Sequence, residues 1–217
     1  FTFNLPNHPI TKMMGVATPA SVKIAGLKWE STGALLITHW GLSGPAVLRL
    51  SAFAALDLAA INYEYTVIVN WLPTYNEGSL RTAMLEHRAM RGSQKIINTE
   101  WINLPARLWT YLLQECQIDE EARWATLPAG QQHLLIKKLC GYEIKATGKT
   151  TFKDEFVTAG GIDTAEIDAH TMASKKIPNL YFAGEILNVD GITGGYNFQH
   201  AWTSGFVAAK AIATAAG

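Results

Sequence analysis

The sequence predicts an α+β fold in two parts, one over residues 1–150 and one over 151–217. Three observations carry this. Up to about residue 150, stretches of β character are followed by long helical patterns. Beyond it the chain turns glycine-rich and ends in one helix of small residues. The composition, 48% hydrophobic and only 17% charged over 217 residues, demands a substantial core and suits one large domain or two small ones.

Residues 1–40 read as β structure. The stretch 16–24 alternates loosely and carries Pro19, and the apolar run 34–38 follows a turn signal at Thr32-Gly33. Gly41-Leu42-Ser43-Gly44-Pro45 punctuates the chain. Ser43 or Gly44 can cap a helix over 46–59, with Pro45 in its first turn. Residues 63–72 (YEYTVIVNWL) form a strand of β-branched and aromatic residues closed by Pro73. Three helices follow. The first, 77–90, has Leu80, Met84 and Leu85 on one face. The second, 105–116, places Leu108, Tyr111, Leu112 and Glu115 at turn spacing. The third, 128–139, opens at Pro128 and ends with Gly141 in the C′ role.

After Gly141 the spacing predicts strands over 142–147 and 155–158 around a Gly148-Lys149 turn, and a short buried strand over 180–183. A glycine-rich loop then leads into a helix over 196–216.

Charge argues against several classes, and neither a nucleic-acid nor a membrane partner is expected. Eighteen basic and eighteen acidic residues cancel, whereas nucleic-acid binding draws on a basic surplus. Neither a polybasic membrane patch nor a bilayer-length apolar run occurs. Two cysteines without metal-ligand spacing, Cys116 and Cys140, read as reduced core thiols. With no glycosylation sequon and no signal peptide, the expected address is cytoplasmic. Histidines 8, 39, 87, 133, 170 and 200 lack the spacing of a metal site.

The strongest chemical signal is Leu180-Tyr181-Phe182-Ala183-Gly184-Glu185, followed by Asp190-Gly191-Ile192-Thr193-Gly194-Gly195-Tyr196-Asn197. A buried strand that ends in small residues and one carboxylate is where α/β sheets bind ligands. Glu185 can accept hydrogen bonds from sugar hydroxyls. Gly194-Gly195 lets backbone approach a ligand, and the helix start offers free N–H groups and a positive dipole end. Ala201, Ser204, Gly205 and Ala208 give that helix a small-residue face for close packing. A plain glycine turn before a packing helix fits the same spacing.

The run LYFAGEILNVDGITGGYNFQHAWTSGFVAAKAI resembles the C-terminal signature of the HI0933-like (BaiN/YhiN-type) flavoproteins. Ile37 through Pro45 and Phe156-Val157-Thr158-Ala159-Gly160-Gly161-Ile162, with Thr171-Met172 and Ser174-Lys175, are similar to two further blocks of that family. The resemblance implies an FAD-dependent, NAD(P)-linked oxidoreductase acting on an unidentified small molecule. Residues 1–150 then form an inserted domain of β-barrel and helical character covering the substrate side. Residues 151–217 form the C-terminal segment of a Rossmann-like FAD domain. By the same resemblance Gly184 and Glu185 hold the sugar chain of FAD, while Thr193, Gly194, Gly195, Tyr196 and Asn197 lie under the flavin ring. Asn188 stands where relatives often carry Asp. The family's N-terminal GxGxxG unit has no counterpart here, so that FAD-binding segment is an expected partner and this chain alone is expected to be inactive. The resemblance identifies no catalytic residue.

Other readings remain. Gly41-Leu42-Ser43-Gly44-Pro45 approaches a nucleophile elbow, but Pro45 replaces the second glycine and a helix cap explains it better. His200 either faces the ligand or packs. His39-Trp40 either lines a cleft or joins the core. Trp101, Trp109 and Trp124 with Tyr111 form either core or a substrate wall, and the charged face of 81–91 reads as solvated. The competing class is a non-catalytic binding or assembly module derived from a flavoprotein.

Overall fold

The structure is a computed structural model that describes residues 1–150, 157–192 and 194–216. Contacts between Cα atoms divide the chain into two compact units. One comprises Phe1–Ser51 and Asp57–Thr150, the other Ala52–Leu56 and Thr151–Gly217.

Seven strands build the first unit: β1 (Thr2–Asn4), β2 (Ala17–Ile24), β3 (Glu30–Ile37), β4 (Gly41–Ser43), β5 (Glu64–Asn70), β6 (Tyr142–Thr147) and β7 (Lys149–Thr150). They pair in the order β6-β5-β2-β3-β4-β1-β7. β6 and β7 occupy opposite ends of that order, yet only Gly148 separates them in sequence. One stretch of chain therefore joins both edges, and the sheet closes into a barrel. The Asn4 amide donates to the Thr147 carbonyl at 3.0 Å across this seam.

Period-2 alternation sets the register. Along β5 and β6, Tyr65, Val67, Val69, Tyr142, Ile144 and Ala146 point inward. Pairing Val67 with Ile144, Val69 with Tyr142, and Val22 with Val69 keeps buried side chains opposite one another. A slip of one residue would expose all of them.

Helices α1 (Pro45–Phe53) and α2 (Ala55–Ala60) take the place of the single helix expected over 46–59, broken at Ala54. The Gly44 carbonyl accepts from the Leu48 N–H at 2.9 Å, and the Gly44 φ of +93° is one that only glycine adopts without strain. A Cβ there would sit 2.8 Å from the Ala34 carbonyl oxygen.

Helices α3 (Glu77–Arg91), α4 (Ala106–Glu115) and α5 (Ala129–Cys140) match the expected spans closely. Asn76 and Ser79 form a reciprocal capping box at the start of α3. Leu80, Met84, Leu108, Leu112, Leu135, Ile136 and Leu139 are fully buried among these helices. Trp109 and Trp124 belong to this core: their indole N–H groups donate to the Ile96 carbonyl (3.2 Å) and Thr99 Oγ1 (3.0 Å). The 81–91 face is not wholly solvated, because Arg88 donates to the carbonyls of Ala125 (2.7 Å) and Leu127 (3.1 Å).

Several expectations are corrected. Thr32-Gly33 lies inside β3 rather than in a turn, and the reversal falls at Gly26, whose φ is +78°. Gly41–Ser43 is a strand, because Leu42 pairs with both Phe3 and Ile37. Gly141 is the C-cap of α5 itself, at φ −155° and ψ 56° rather than in the left-handed C′ conformation, and β6 begins at the next residue. Gly148 alone makes the turn expected at Gly148-Lys149, and Lys149 already pairs in β7. The strand expected over 155–158 falls partly outside the described residues.

The second unit contains a long helix, α6 (Tyr196–Ala216), and loops held by isolated bridges. The strand expected over 180–183 is reduced to one bridge, Ala173 to Tyr181. The neighbouring chain turns away at Met172, whose φ is +59°. Among the described residues no helix is long and apolar enough to cross a membrane.

Candidate functional site

Among the described residues, the hydrogen bonds that position the glycine-rich tail lie within its own unit. Gly184–Ile186 forms a 3-10 turn that places Glu185 on the surface. Two contacts pin this turn. On one side the Gly184 N–H donates to Ser204 Oγ at 2.9 Å, and Ser204, 3% exposed, donates onward to the His200 carbonyl at 2.7 Å. On the other, Ile162 bridges Leu187 in parallel: its N–H reaches the Ile186 carbonyl at 2.8 Å, and its carbonyl accepts from Asn188 at 2.9 Å. Gly161 permits this approach. A Cβ there would lie 2.5 Å from the Ile186 carbonyl oxygen, and its φ is +128°.

The loop into α6 is fixed by Asn197. Its Oδ1 accepts from the Gly191 N–H at 2.7 Å, and its Nδ2 donates to the Gly191 carbonyl at 3.1 Å. Gly194 and Gly195 follow in left-handed backbone, with φ of +129° and +91°. A Cβ on Gly195 would meet no atom within 4 Å, and one on Gly194 only the Tyr196 ring at 3.9 Å. Open space thus stands before the first turn of α6, whose leading N–H groups have no intrahelical acceptors.

Six of the seven predicted site residues are therefore described: Gly184 and Glu185 on the turn, Gly194 and Gly195 in the loop, Tyr196 and Asn197 at the helix start. Thr193 lies outside the described residues. Glu185 sits on a turn rather than at a strand end. Asn197 spends its side chain on the loop, which leaves only its backbone for a ligand. His200 is half-buried, and its Nε2 is enclosed without a hydrogen-bond partner among the described residues. An exposed carboxylate on a turn packed against α6, together with the positive N-terminal end of that helix, is chemically compatible with the sugar hydroxyls and the carbonyl edge of a flavin. Sequence reasoning missed Ser204 as an acceptor and Gly161 as the close-approach position. The small-residue spacing of α6 and the Gly160-Gly161 pair were the signals for them.

The first unit holds a separate polar cluster. The Tyr111 and Tyr142 hydroxyls are 3.0 Å apart, Tyr142 donates to Glu115 Oε2 at 3.2 Å, and Lys138 pairs with the same oxygen at 2.9 Å. Burial works to raise the Glu115 pKa, but Lys138 and the two phenols outweigh it and hold the carboxyl below its usual value. Burial pushes Tyr111 up to about 12. Burial also lowers His8, opposed by Glu115 and reinforced by Lys138. Cys116 and Cys140 are free thiols that burial pushes up to about 11, so both stay protonated near neutrality. Ser43 lies in β4, paired with Leu36. No group of three or more His, Cys, Asp or Glu among the described residues can hold a metal ion.

The family model of the HI0933-like protein barrel and H2TH domain matches residues 1–157, spanning every barrel strand and helices α1–α5. The chain belongs to the HI0933-like family. It is similar to a ribosomal RNA dihydrouridine synthase of Escherichia coli, 38% identical over 97% of this chain and 50% of the relative. It is similar to a second ribosomal RNA dihydrouridine synthase, of Haemophilus influenzae, at 30% identity over 98% of this chain and 50% of the relative. A 3-dehydro-bile acid delta(4,6)-reductase of Clostridium scindens is 32% identical over 95% of this chain and 51% of the relative. The chain thus spans about half the length of the curated relatives it matches.

Proposed function

We propose that this HI0933-like chain is part of a flavin-dependent reductase that saturates a ring carbon–carbon double bond conjugated to a carbonyl, with NAD(P)H as electron donor. The relatives' names supply the substrate class. A uracil ring and a 3-oxo-4,6-diene both carry such a bond. What FAD supplies, when bound, is hydride transfer between nicotinamide and substrate ring.

The observation that carries this reading is the junction at α6: two left-handed glycines facing open space before a 21-residue helix, beside a pinned turn that presents Glu185. Glu185 accepts hydrogen bonds from the sugar hydroxyls of the cofactor. The N–H groups of Gly194, Gly195, Tyr196 and Asn197, with the positive end of α6, stabilise negative charge on the carbonyl edge of a reduced ring. Gly161, Ser204 and the Asn197 amide act by positioning.

The remaining part of the site belongs, in this proposal, to a further protein segment. Phe198, Trp202 and Phe206 lie at i, i+4 and i+8 on α6 and are 68–70% exposed, with Phe198 and Trp202 stacked at 6.2 Å. An apolar stripe of this kind belongs against protein, and the relatives' additional length is its natural cover.

The test is the visible spectrum of the full natural gene product with FAD, before and after anaerobic NAD(P)H. A flavin band that bleaches, and reoxidises on adding a cyclic enone or uridine-containing RNA, supports the reading. A colourless protein that FAD does not reconstitute overturns it and favours a binding module.

A further inference from the structure

We propose that His8 is a pH-operated latch: neutral, it caps the 3-10 turn Pro9–Met13 and holds it against α4, and protonated, it releases that turn. This stands apart from the flavin reading above and uses none of its residues.

The turn is a strap between β1 and β2, and it packs against α4 and β3. Ile10, fully buried, is its anchor. From α4 the Arg107 guanidinium donates to the carbonyls of Lys12 (3.1 Å) and Met14 (3.4 Å). His8 supplies the other ties. Its carbonyl accepts from the Thr11 N–H (3.1 Å) and the Thr11 hydroxyl (2.8 Å), and its ring Nδ1 accepts from the Ile10 N–H at 3.2 Å. Met13 of the strap lines one open cleft with Arg107 and Tyr111 of α4, so the strap forms a wall of that cleft.

The Nδ1 contact makes the cap sensitive to protons. An imidazole nitrogen accepts only while it carries no hydrogen, so the neutral ring holds its proton on Nε2. A second proton must go onto Nδ1, the atom that faces the Ile10 N–H. Two donors then oppose each other and the cap is lost.

The groups around His8 set the direction. Glu115 of α4 attracts an imidazolium, while Lys138 of α5, paired with Glu115 Oε2 at 2.9 Å, repels it. Tyr142 of β6 meets the His8 ring edge to face at 6.2 Å, with Tyr111 hydrogen-bonded to it at 3.0 Å. Arg107 and Lys12 add positive charge along the strap. Burial outweighs these and holds the closed His8 below 6.5. The released ring therefore takes up a proton before the closed one does. Closure is fully favoured above pH 6.5 and weakens as pH falls below it. Glu115, held below 4.5, stays charged above that pH.

The experiment is hydrogen exchange of the full natural gene product, read peptide by peptide by mass spectrometry, at about pH 7.5 and about pH 5.5. After correction for intrinsic rates, protection over 10–14 should fall severalfold, up to about tenfold, the limit for one proton over one pH unit. Protection over β5 and β6 should hold. His8→Asn keeps a side-chain cap that does not titrate, so its strap should stay protected at both pH values. His8→Ala removes the cap, and its strap should be as unprotected at the higher pH as the wild type is at the lower. Equal protection of the wild-type strap at both pH values overturns the latch. So does a fall in His8→Asn that matches the wild type, which would put the titrating group elsewhere. A matching fall over β5 and β6 overturns it too, because the whole fold would then be the responder.

Discussion

The amide of Asn197 closes two hydrogen bonds on the backbone of Gly191, accepting from its N–H at 2.7 Å and donating to its carbonyl at 3.1 Å. One side chain in the first turn of α6 thereby fixes the loop six residues earlier. A Cβ on Gly191 would come within 3.0 Å of the Tyr196 Cβ, so the clamp also needs a glycine opposite it. The loop is held by its own helix, and the positions of Gly194 and Gly195 follow from that clamp.

Asn197→Ala should lower the unfolding free energy of this unit by about 1–3 kcal/mol, because two part-buried backbone groups lose their partners. Asn197→Asp keeps the acceptor for the Gly191 N–H and loses the donor, so its deficit should fall between the wild type and Ala. Hydrogen exchange at the Gly191 amide is the direct measurement. Protection unchanged in Asn197→Ala would show that the clamp does not hold the loop.

Ser204→Ala removes the acceptor of the Gly184 N–H from a site that is 3% exposed. The cost should be about 1–3 kcal/mol, read as a lower melting temperature of the chain. Gly161→Ala should cost at least as much, because its Cβ meets backbone, the Ile186 carbonyl, which has no flexible end to move aside. A melting temperature equal to wild type in Gly161→Ala would contradict the parallel contact between Ile162 and Leu187.

Long periodic elements were legible in the sequence, and short paired ones were not. Helices α3, α4, α5 and α6 and strands β2, β5 and β6 carry period signals over many residues. β1, β4 and β7 have three, three and two residues, and exist because distant partners complete their ladders, as Thr150 does for Thr2. The candidate site was legible as a glycine pattern, since Gly194 and Gly195 need their conformations locally. The division of labour within it was not. Asn197 read as a ligand group, but a partner six residues back consumes its amide. The Tyr111–Tyr142–Glu115 cluster joins residues 27 and 31 apart through the closing of the barrel onto α4, which no local pattern encodes.

That cluster makes acid stability depend on Glu115. Its folded carboxyl titrates below its ordinary value of 4.5, so the unfolded chain binds a proton first. The stabilisation is fully present above pH 4.5 and is lost as pH falls through the lower folded value. His8, lowered from 6.5 chiefly by burial, acts in the same direction at higher pH, with stability falling as pH drops below 6.5. Tyr111 acts at the other end: raised from 10.0 to about 12, it loses stability as pH climbs across that interval. Glu115→Gln should therefore be less stable than wild type at pH 7 by about 1–2 kcal/mol, yet show a flatter decline below pH 4.5. Parallel acid limbs for the two proteins would mean that Glu115 is not the group being protonated.

The proposed cofactor role of Glu185 makes the sharpest functional prediction, because this carboxylate is exposed on its turn. A residue kept only for packing would leave a stability signature when truncated. Glu185→Ala should leave none, with a melting temperature within about 1–2 °C of wild type, since exposed substitutions fall within about 0.5 kcal/mol. In the full natural gene product the same change should lower FAD affinity by about tenfold or more, because a charge-assisted hydrogen bond to a sugar hydroxyl is worth about 1.5–3 kcal/mol. Glu185→Gln retains an acceptor oxygen without the charge and should recover part of that loss. Flavin retention after gel filtration, compared across the three proteins at equal concentration, separates these cases. Equal flavin content in wild type and Glu185→Ala would remove Glu185 from the site and leave only the α6 junction to hold the ring.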